Sequence, residues 1–429
     1  MGGSELKMGL DRHKRRWQEV VDSEALQAAP EIKTPQELEN YSATEKCVLV
    51  AIRPDQQKSF ADKGFFRNLV KSHKKALLSP CLKEVSIPEN TRSFVVHDWE
   101  YLDAELRDII KSDAVFYHEF SYTRTYEDLS VDECLRLLGD SNGIMVSFET
   151  IGHIAHLNLP NERLWAKHII AKILLDKHKH IRTVVNKTKE VETEFRTMDL
   201  ELLAGDDDLI ATQNENGHTF KIDFRNVYWN SRLIRERERL SETFARGDIV
   251  IDMFAGVGPF AIYAAGKGCL VFANDLNPTG TQYIELNAKL NKLSDKVFAY
   301  NRDARDFVKT VIDSGILDKQ TTSVKDHVMK VDSKVHFVMN LPKDAIEFLD
   351  SLKGLAKGID PENIRTCVVH CYCFSEAADV ETDIDARMEG VLGVKIPDKK
   401  IVTVRDVSPK KHMYCIEFKI PTTLLSADH

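Results

Sequence analysis

Nowhere in the 429 residues does an apolar run approach the eighteen or so needed to cross a bilayer as a helix. A helical membrane anchor is therefore not expected. Paired metal-ligand cysteines are also missing. The eight cysteines are scattered, the nearest two being Cys371 and Cys373 in one strand-like run, and no second pair completes a zinc set. Reduced, buried thiols are the expectation, with no metal site. The chain also lacks a basic balance: its formal net charge of −8 announces no nucleic-acid partner. What is present is ordinary for globular proteins, with 43% hydrophobic and 29% charged residues over a length that suggests two or three domains.

The distribution of charge says more than its sum. Between Arg163 and Lys189 stand eight Lys/Arg against one acid, Asp176, with His168, His178 and His180 among them. A local surplus of this kind in an acidic protein reads as a phosphate-facing surface, a solvated helix face being the plainer alternative. Near the start, Arg12, Lys14, Arg15 and Arg16 form a basic cluster of the kind a matrix-targeting leader carries, but Glu5, Asp11, Glu19 and Asp22 dilute it.

The stretch IVIDMFAGVGPFAIYAA, 249–265, organises the rest. Its β-branched opening reads as a buried parallel strand, and a glycine turn and an apolar helix follow. Gly256-x-Gly258-x-x-Ala261, with Asp275 closing a second strand, satisfies the dinucleotide fingerprint. Two residues point away from a pyrophosphate. Asp252, at the strand end, would repel phosphate but orient a cationic amino group, and Pro259 removes an N–H where a pyrophosphate wants donors. S-adenosylmethionine, with a sulfonium, an ammonium and no phosphate, suits the site. Asp275 would accept from its ribose hydroxyls and Asp303 from adenine.

Strands are expected at Cys47–Ile52, Phe94–Val96, Ala114–Tyr122, Gly143–Glu149 and Ile181–Asn186. Helices are expected at Gln56–Val70, Val131–Leu138 and Arg163–Asp176. Asp208–Glu215, Thr219–Asp223 and Val227–Trp229 read as a meander turning at Asn216-Gly217. The helix Ser231–Ala245 leads into the glycine-loop strand and places Arg232, Glu236 and Arg239 near one face. Beyond it strand and helix alternate, with strands near 248–252, 270–274, 297–301, 337–340, 366–373, 400–404 and 413–418. Residues 313–333 read as a loop insertion. Asn340-Leu341-Pro342 lies just past a strand, where ligands bind in open α/β sheets and a carboxamide can be held against a planar base.

Several blocks in order, DMFAGVGPFAI (252–262), ANDLNP (273–278), NLP (340–342), YWNSRLIRERER (228–239), VRDVSPKKHMYC (404–415) and TVVNKTKEVETEFR (183–196), make the chain resemble the eukaryotic and archaeal tRNA (guanine-37-N1)-methyltransferases. The resemblance implies an α/β fold: a class I, Rossmann-like methyltransferase domain with a seven-stranded doubly wound sheet, preceded by smaller α+β domains. The expected division is a polar segment 1–40, a tRNA-recognition domain 41–125, an RNA-binding domain 126–230 and the methyltransferase domain 231–421. The resemblance places the general base at Glu236, a guanine-orienting arginine at Arg196 and the base-holding motif at Asn340 and Pro342. Arg237, Leu276, Ala304 and Asn340 join Asp252, Gly256, Gly258, Asp275 and Asp303 around S-adenosylmethionine. Ser231 stands where relatives often have proline and is expected to cap its helix.

The implied substrate is tRNA with G at position 37, flipped into the pocket of a monomeric enzyme without membrane partners. The implied location is cytoplasm and nucleus, with a mitochondrial matrix pool. Three rivals share parts of this reading. They are an aminocarboxypropyl transferase of wybutosine synthesis, a non-catalytic tRNA-binding protein and an NAD dehydrogenase, the last opposed by Asp252 and Pro259.

Overall fold

The computed structural model describes residues 32–56, 82, 85–96, 107–108, 111–112, 114–138, 146–190 and 198–427. The helix expected at Gln56–Val70 lies outside them except for its first residue. The chain forms two compact units, one of residues 1–147 with 159–179, the other of 148–158 with 180–429.

In the first unit a short helix α1 (Pro35–Glu39) leads into β1 (Ser42–Ile52), which pairs antiparallel with β2 (Arg92–Val96) and β3 (Phe116–Thr125). Cys47, Leu49, Val95, Phe120 and Tyr122 form the apolar face of this sheet. Helix α2 (Val131–Arg136) starts in a reciprocal cap between Ser130 and Glu133, and Arg124 holds the same Glu133 at 2.7 Å. Helix α3 (Lys167–Lys177) follows a 3₁₀ turn at Asn161–Ala166 and buries Ile169, Ile170, Ile173 and Leu174.

Several members of the basic run are engaged within the fold. Lys172 binds Glu39 at 2.8 Å and Asp176 at 3.0 Å. Lys177 donates to the Tyr126 carbonyl and lies over its ring, and Arg182 pairs with Asp208 at 3.3 Å.

The second unit opens with a four-stranded sheet in the order β4 (Phe148–Ile151), β5 (Ile154–Leu157), β6 (Thr183–Glu190), β7 (Met198–Gly205). Of the strand expected at Gly143–Glu149, residues 143–145 lie outside the described residues, and 146–147 precede the start of β4 at Phe148. β8 (Ile210–Glu215) and β9 (His218–Asp223) form the expected hairpin, with Asn216 and Gly217 both at positive φ, as a two-residue turn of matching twist requires. The meander stops there. Val227–Trp229 is not a strand; Val227 and Trp229 instead bury their side chains under the hairpin.

A 3₁₀ turn at Ser231–Leu233 then runs into α4 (Ile234–Ser241), shorter than the helix expected to Ala245. The cap also differs from expectation. Asn230 accepts from the Arg232 N–H, while the Ser231 hydroxyl turns to Glu149.

Next come β10 (Ile249–Asp252), α5 (Pro259–Gly266), β11 (Leu270–Asn274), α6 (Pro278–Leu290), β12 (Val297–Tyr300) and α7 (Ala304–Ile312). A two-residue-strand hairpin, β13 (Ser323–Val324) and β14 (His327–Val328), precedes β15 (Val335–Met339). β16 (Cys367–Ser375), α8 (Val380–Leu392), β17 (Lys399–Ser408), β18 (Lys411–Lys419) and α9 (Thr422–Leu425) complete the unit.

The seven long strands form one sheet ordered β12-β11-β10-β15-β16-β18-β17, parallel except for β18, which runs against both neighbours. Its central strands are apolar on both faces because helices cover both. Residues 313–333 are more than a loop. Ile316, Leu317, Val324 and Met329 enter the core under the sheet, and buried Arg365 ties the segment down through the carbonyls of Thr321, Lys330 and Val331.

Candidate active site

β10 delivers Asp252 to the carboxyl end of the sheet, and the turn after it is clamped to the end of β11. Gly256 and Gly258 take φ of 60° and 85°, a region that favours glycine. The Gly256 N–H donates to Asp275 Oδ2 at 2.7 Å, and the Asn277 N–H donates to Oδ1 at 2.9 Å. Both carboxylate oxygens of Asp275 are thus oriented, and each keeps a free acceptor position. Burial raises its carboxyl while these two amides oppose the shift. Gly280, on the first turn of α6, lets this clamp close. A Cβ there would stand 2.8 Å from the Gly256 carbonyl oxygen and 3.3 Å from Asp275 Oδ1.

Three asparagines also position the loop without a signal in the glycine motif. Asn274 bridges the ends of β10 and β12 through the Met253 and Arg302 carbonyls, and Asn301 donates to the carbonyls of Asp275 and Leu276. Asn287 holds the Val257 carbonyl.

Asp252 is fully enclosed, and neither carboxylate oxygen has a hydrogen-bond partner among the described residues. Burial pushes its carboxyl up to about 8; the Phe254 amide works against this and the charge of Asp275 adds to it. A buried carboxylate whose oxygens meet no well-aligned donor among the described residues suits a ligand bringing N–H groups and positive charge. The ammonium end of S-adenosylmethionine fits that chemistry. Pro259 at the first position of α5 gives no N–H for a phosphate. Leu276 is 43% exposed, a ready apolar contact at the end of β11. Asp303 caps α7 by accepting from the Arg305 N–H at 2.8 Å, and Ala304 is buried behind it.

Asn340 follows β15 directly. Its carboxamide oxygen is buried without a partner among the described residues, the same mark of an unfilled acceptor seen at Asp252. The Pro342 carbonyl accepts from the Phe374 N–H at 3.0 Å, which fixes the turn to β16. The β15–β16 register pairs Met339 with Cys371, so Asn340 and Tyr372 are the next residues along the two strands.

The Tyr372 hydroxyl donates to Glu236 Oε1 at 2.7 Å, which ties α4 to this part of the sheet. Arg239 grips the same carboxylate with both prongs, Nη2 to Oε1 and Nε to Oε2, each at 2.7 Å. Oε1 is therefore saturated, and Oε2 retains one acceptor position.

Arg232 does not join this group; it pairs with Glu149 at 2.5 Å. Arg237 is 2% exposed, bound to Glu215 at 2.6 Å and the Asn230 carbonyl at 2.8 Å, with its guanidinium over Trp229. Only its Nε lacks a partner among the described residues, so it is an enclosed ion pair rather than an open cleft residue. Arg196 lies outside the described residues.

Strand order, antiparallel penultimate position and glycine turn together define a class I methyltransferase. Residues 211–387 match the family model for the TRM5/TYW2 methyltransferase domain, and 140–208 match the TYW2 N-terminal domain. A Theileria parva tRNA (guanine(37)-N(1))-methyltransferase is 41% identical, over 96% of this chain and 85% of the relative. Proteins of that name from Dictyostelium discoideum and Mus musculus are 41% and 40% identical. They align over 80% and 72% of this chain, and over 69% and 61% of their own length. The chain belongs to the tRNA (guanine(37)-N(1))-methyltransferase family.

Solved structures agree on the fold. aTrm5 in complex with tRNALeu covers 87% of this chain and 99% of that one, with a TM-score of 0.57 at 23% identity. Trm5b from Pyrococcus abyssi covers 87% and 98%, with a TM-score of 0.54 at 24% identity.

Proposed function

We propose that this protein methylates N1 of guanosine 37 in tRNA, with Glu236 taking the N1 proton. The observation that carries the reading is the Glu236 carboxylate: 6% exposed, held by three hydrogen bonds and left with one acceptor position, beside the strand pair that ends in Asn340.

S-adenosylmethionine supplies a methyl group already activated by its sulfonium. Asp252 would hold its ammonium group, Asp275 its ribose hydroxyls, and Leu276, Asp303 and Ala304 its adenine. The Asn340 carboxamide, kept rigid by Pro342, would present its unpartnered oxygen to the donor edge of the flipped guanine. Guanine N1 is protonated at neutral pH and is a poor nucleophile. Glu236 Oε2 would take that proton, a role within the usual reach of general bases. The electrons of the N–H bond would form the new N–C bond, and the S–CH3 bond would break with its electrons left on sulfur as a neutral thioether. Negative charge then grows towards O6, where Arg196 is assigned to meet it.

The test is transfer from labelled S-adenosylmethionine to tRNA carrying G or A at position 37, followed by nucleoside mass analysis. One methyl on guanosine 37, and none on the A37 transcript, is the expected result. An aminocarboxypropyl adduct, or cofactor binding without transfer, would replace the reading with one of its rivals.

A further inference from the structure

Behind the Glu236–Arg239 pair runs a second set of buried polar groups that the reaction as described does not use. Arg239 Nη1 donates to Glu417 Oε1 at 2.6 Å, so one guanidinium serves two carboxylates, one from α4 and one from β18. Glu417 is 13% exposed and also faces His370 Nδ1 at 3.6 Å and Lys400 Nζ at 3.6 Å. His370 Nε2 and His336 Nδ1 are 3.0 Å apart, and His336 Nε2 reaches Asp248 at 3.2 Å. Cys415 from β18 and Tyr372 from β16 complete the groups facing Glu236 and Arg239.

Burial lowers the His370 imidazole, so it is neutral at neutral pH. Burial alone would raise the Glu417 carboxyl, but His370 and Arg239 outweigh it and bring it down to about 2. His370, Cys415 and Glu417 offer metal-type donor atoms within 4.8 Å of one another, yet the guanidinium on Glu417 puts fixed positive charge where a cation would sit.

We propose that Glu417 is a positioning residue for methyl transfer, acting through Arg239 to orient Glu236. The inference rests on the reading of Glu236 as the base. One physical consequence follows from the shared guanidinium. With Nη1 anchored on β18, the Nε/Nη2 edge has one orientation, and the open position of Oε2 is fixed with it.

The test is a double-mutant cycle in single-turnover methyl transfer at saturating S-adenosylmethionine and G37 tRNA. It compares wild type, Glu417→Gln, Glu236→Gln and the double variant. Glu417→Gln should slow transfer about tenfold while affinities for tRNA and cofactor stay within about twofold. It should add nothing to the loss already caused by Glu236→Gln, because it acts through that residue. An unchanged rate for the folded fraction, or an equal loss in the Glu236→Gln background, would overturn the proposal and leave the base assignment standing. Full activity of Glu236→Gln would overturn both. Should Glu417→Gln fail to fold, Arg239→Lys keeps the charge without the two-pronged grip and is expected to show the same non-additive loss.

Discussion

Replacing Asp252 with Asn should stabilise the ligand-free protein and weaken its hold on S-adenosylmethionine, and the stabilisation should grow with pH. Asp252 is fully buried, and both its oxygens lack partners among the described residues. Its carboxyl stands at about 8, with burial as the main cause. An unfolded Asp titrates near about 3.9. A raised folded value means that the fold prefers the protonated form. Well below pH 4 both states are protonated and Asp252 adds no pH-dependent cost. As pH rises from about 4 to about 8 the unfolded chain ionises first, and stability falls by up to ~1.4 kcal/mol per pH unit. At pH 7.5 the accumulated cost has an upper bound of about 5 kcal/mol. Even half of that is about 5 °C or more in melting temperature for a domain of this size.

Asn carries no charge, and the cost of its own buried amide does not vary with pH. The quantity to measure is therefore the difference in melting temperature between Asp252→Asn and wild type, from pH 5 to 9, without ligand. It should open with pH and level off above about 8. Calorimetry at pH 7.5 should show the variant binding S-adenosylmethionine at least tenfold more weakly, a loss of about 1.4 kcal/mol or more. A melting difference that is flat across the range would refute the burial argument, and unchanged affinity would remove Asp252 from the cofactor site.

Gly280→Ala should abolish cofactor binding with only modest loss of fold, because its Cβ would meet the Gly256 carbonyl at 2.8 Å and spring the Asp275 clamp; wild-type affinity would show that the clamp is not needed. Charge removal at Lys179 and Arg182 should weaken tRNA binding and reduce its salt dependence by about 0.7–0.9 per lost phosphate contact. An unchanged slope would make these two an ordinary solvated surface. Lys177 is unsuited to that test, since its ammonium sits against the Tyr126 carbonyl and ring and its loss would unsettle the packing of the first unit.

Much of the methyltransferase sheet was legible because buried parallel strands are written as apolar runs, and Ile249–Ile251, Val271–Ala273 and Phe337–Met339 are such runs. The glycine turn was legible because positive φ leaves few choices of residue. Partners distant in sequence left no such trace. Glu417 is 178 positions from Arg239, and Tyr372 is 136 from Glu236, so neither pairing has a local pattern. Helical spacing paired Glu236 with both Arg232 and Arg239, but a neighbour on β4, Glu149, took Arg232 away. Residues 313–333 looked like a loop because their four core residues follow neither a helical nor a strand period. Lysines at 172 and 177 looked like a phosphate-facing surface because nothing nearby in sequence shows that Glu39 and Tyr126 engage them.

The place of β18 bears on how the protein is made. It is the last long strand to be synthesised, yet it lies inside the sheet, between β16 and β17. The residues of β10, β11, the glycine turn and the Asp275 clamp are all synthesised well before residue 411. The chain cannot present Glu417 to Arg239 until that strand threads into the slot between its neighbours. The residues of that clamp are thus synthesised early, whereas the tether on Glu236 arrives with the final strand. A transcript cut short before β18 would lack Glu417 and would also leave the two cores without Met413, Cys415, Ile416 and Phe418.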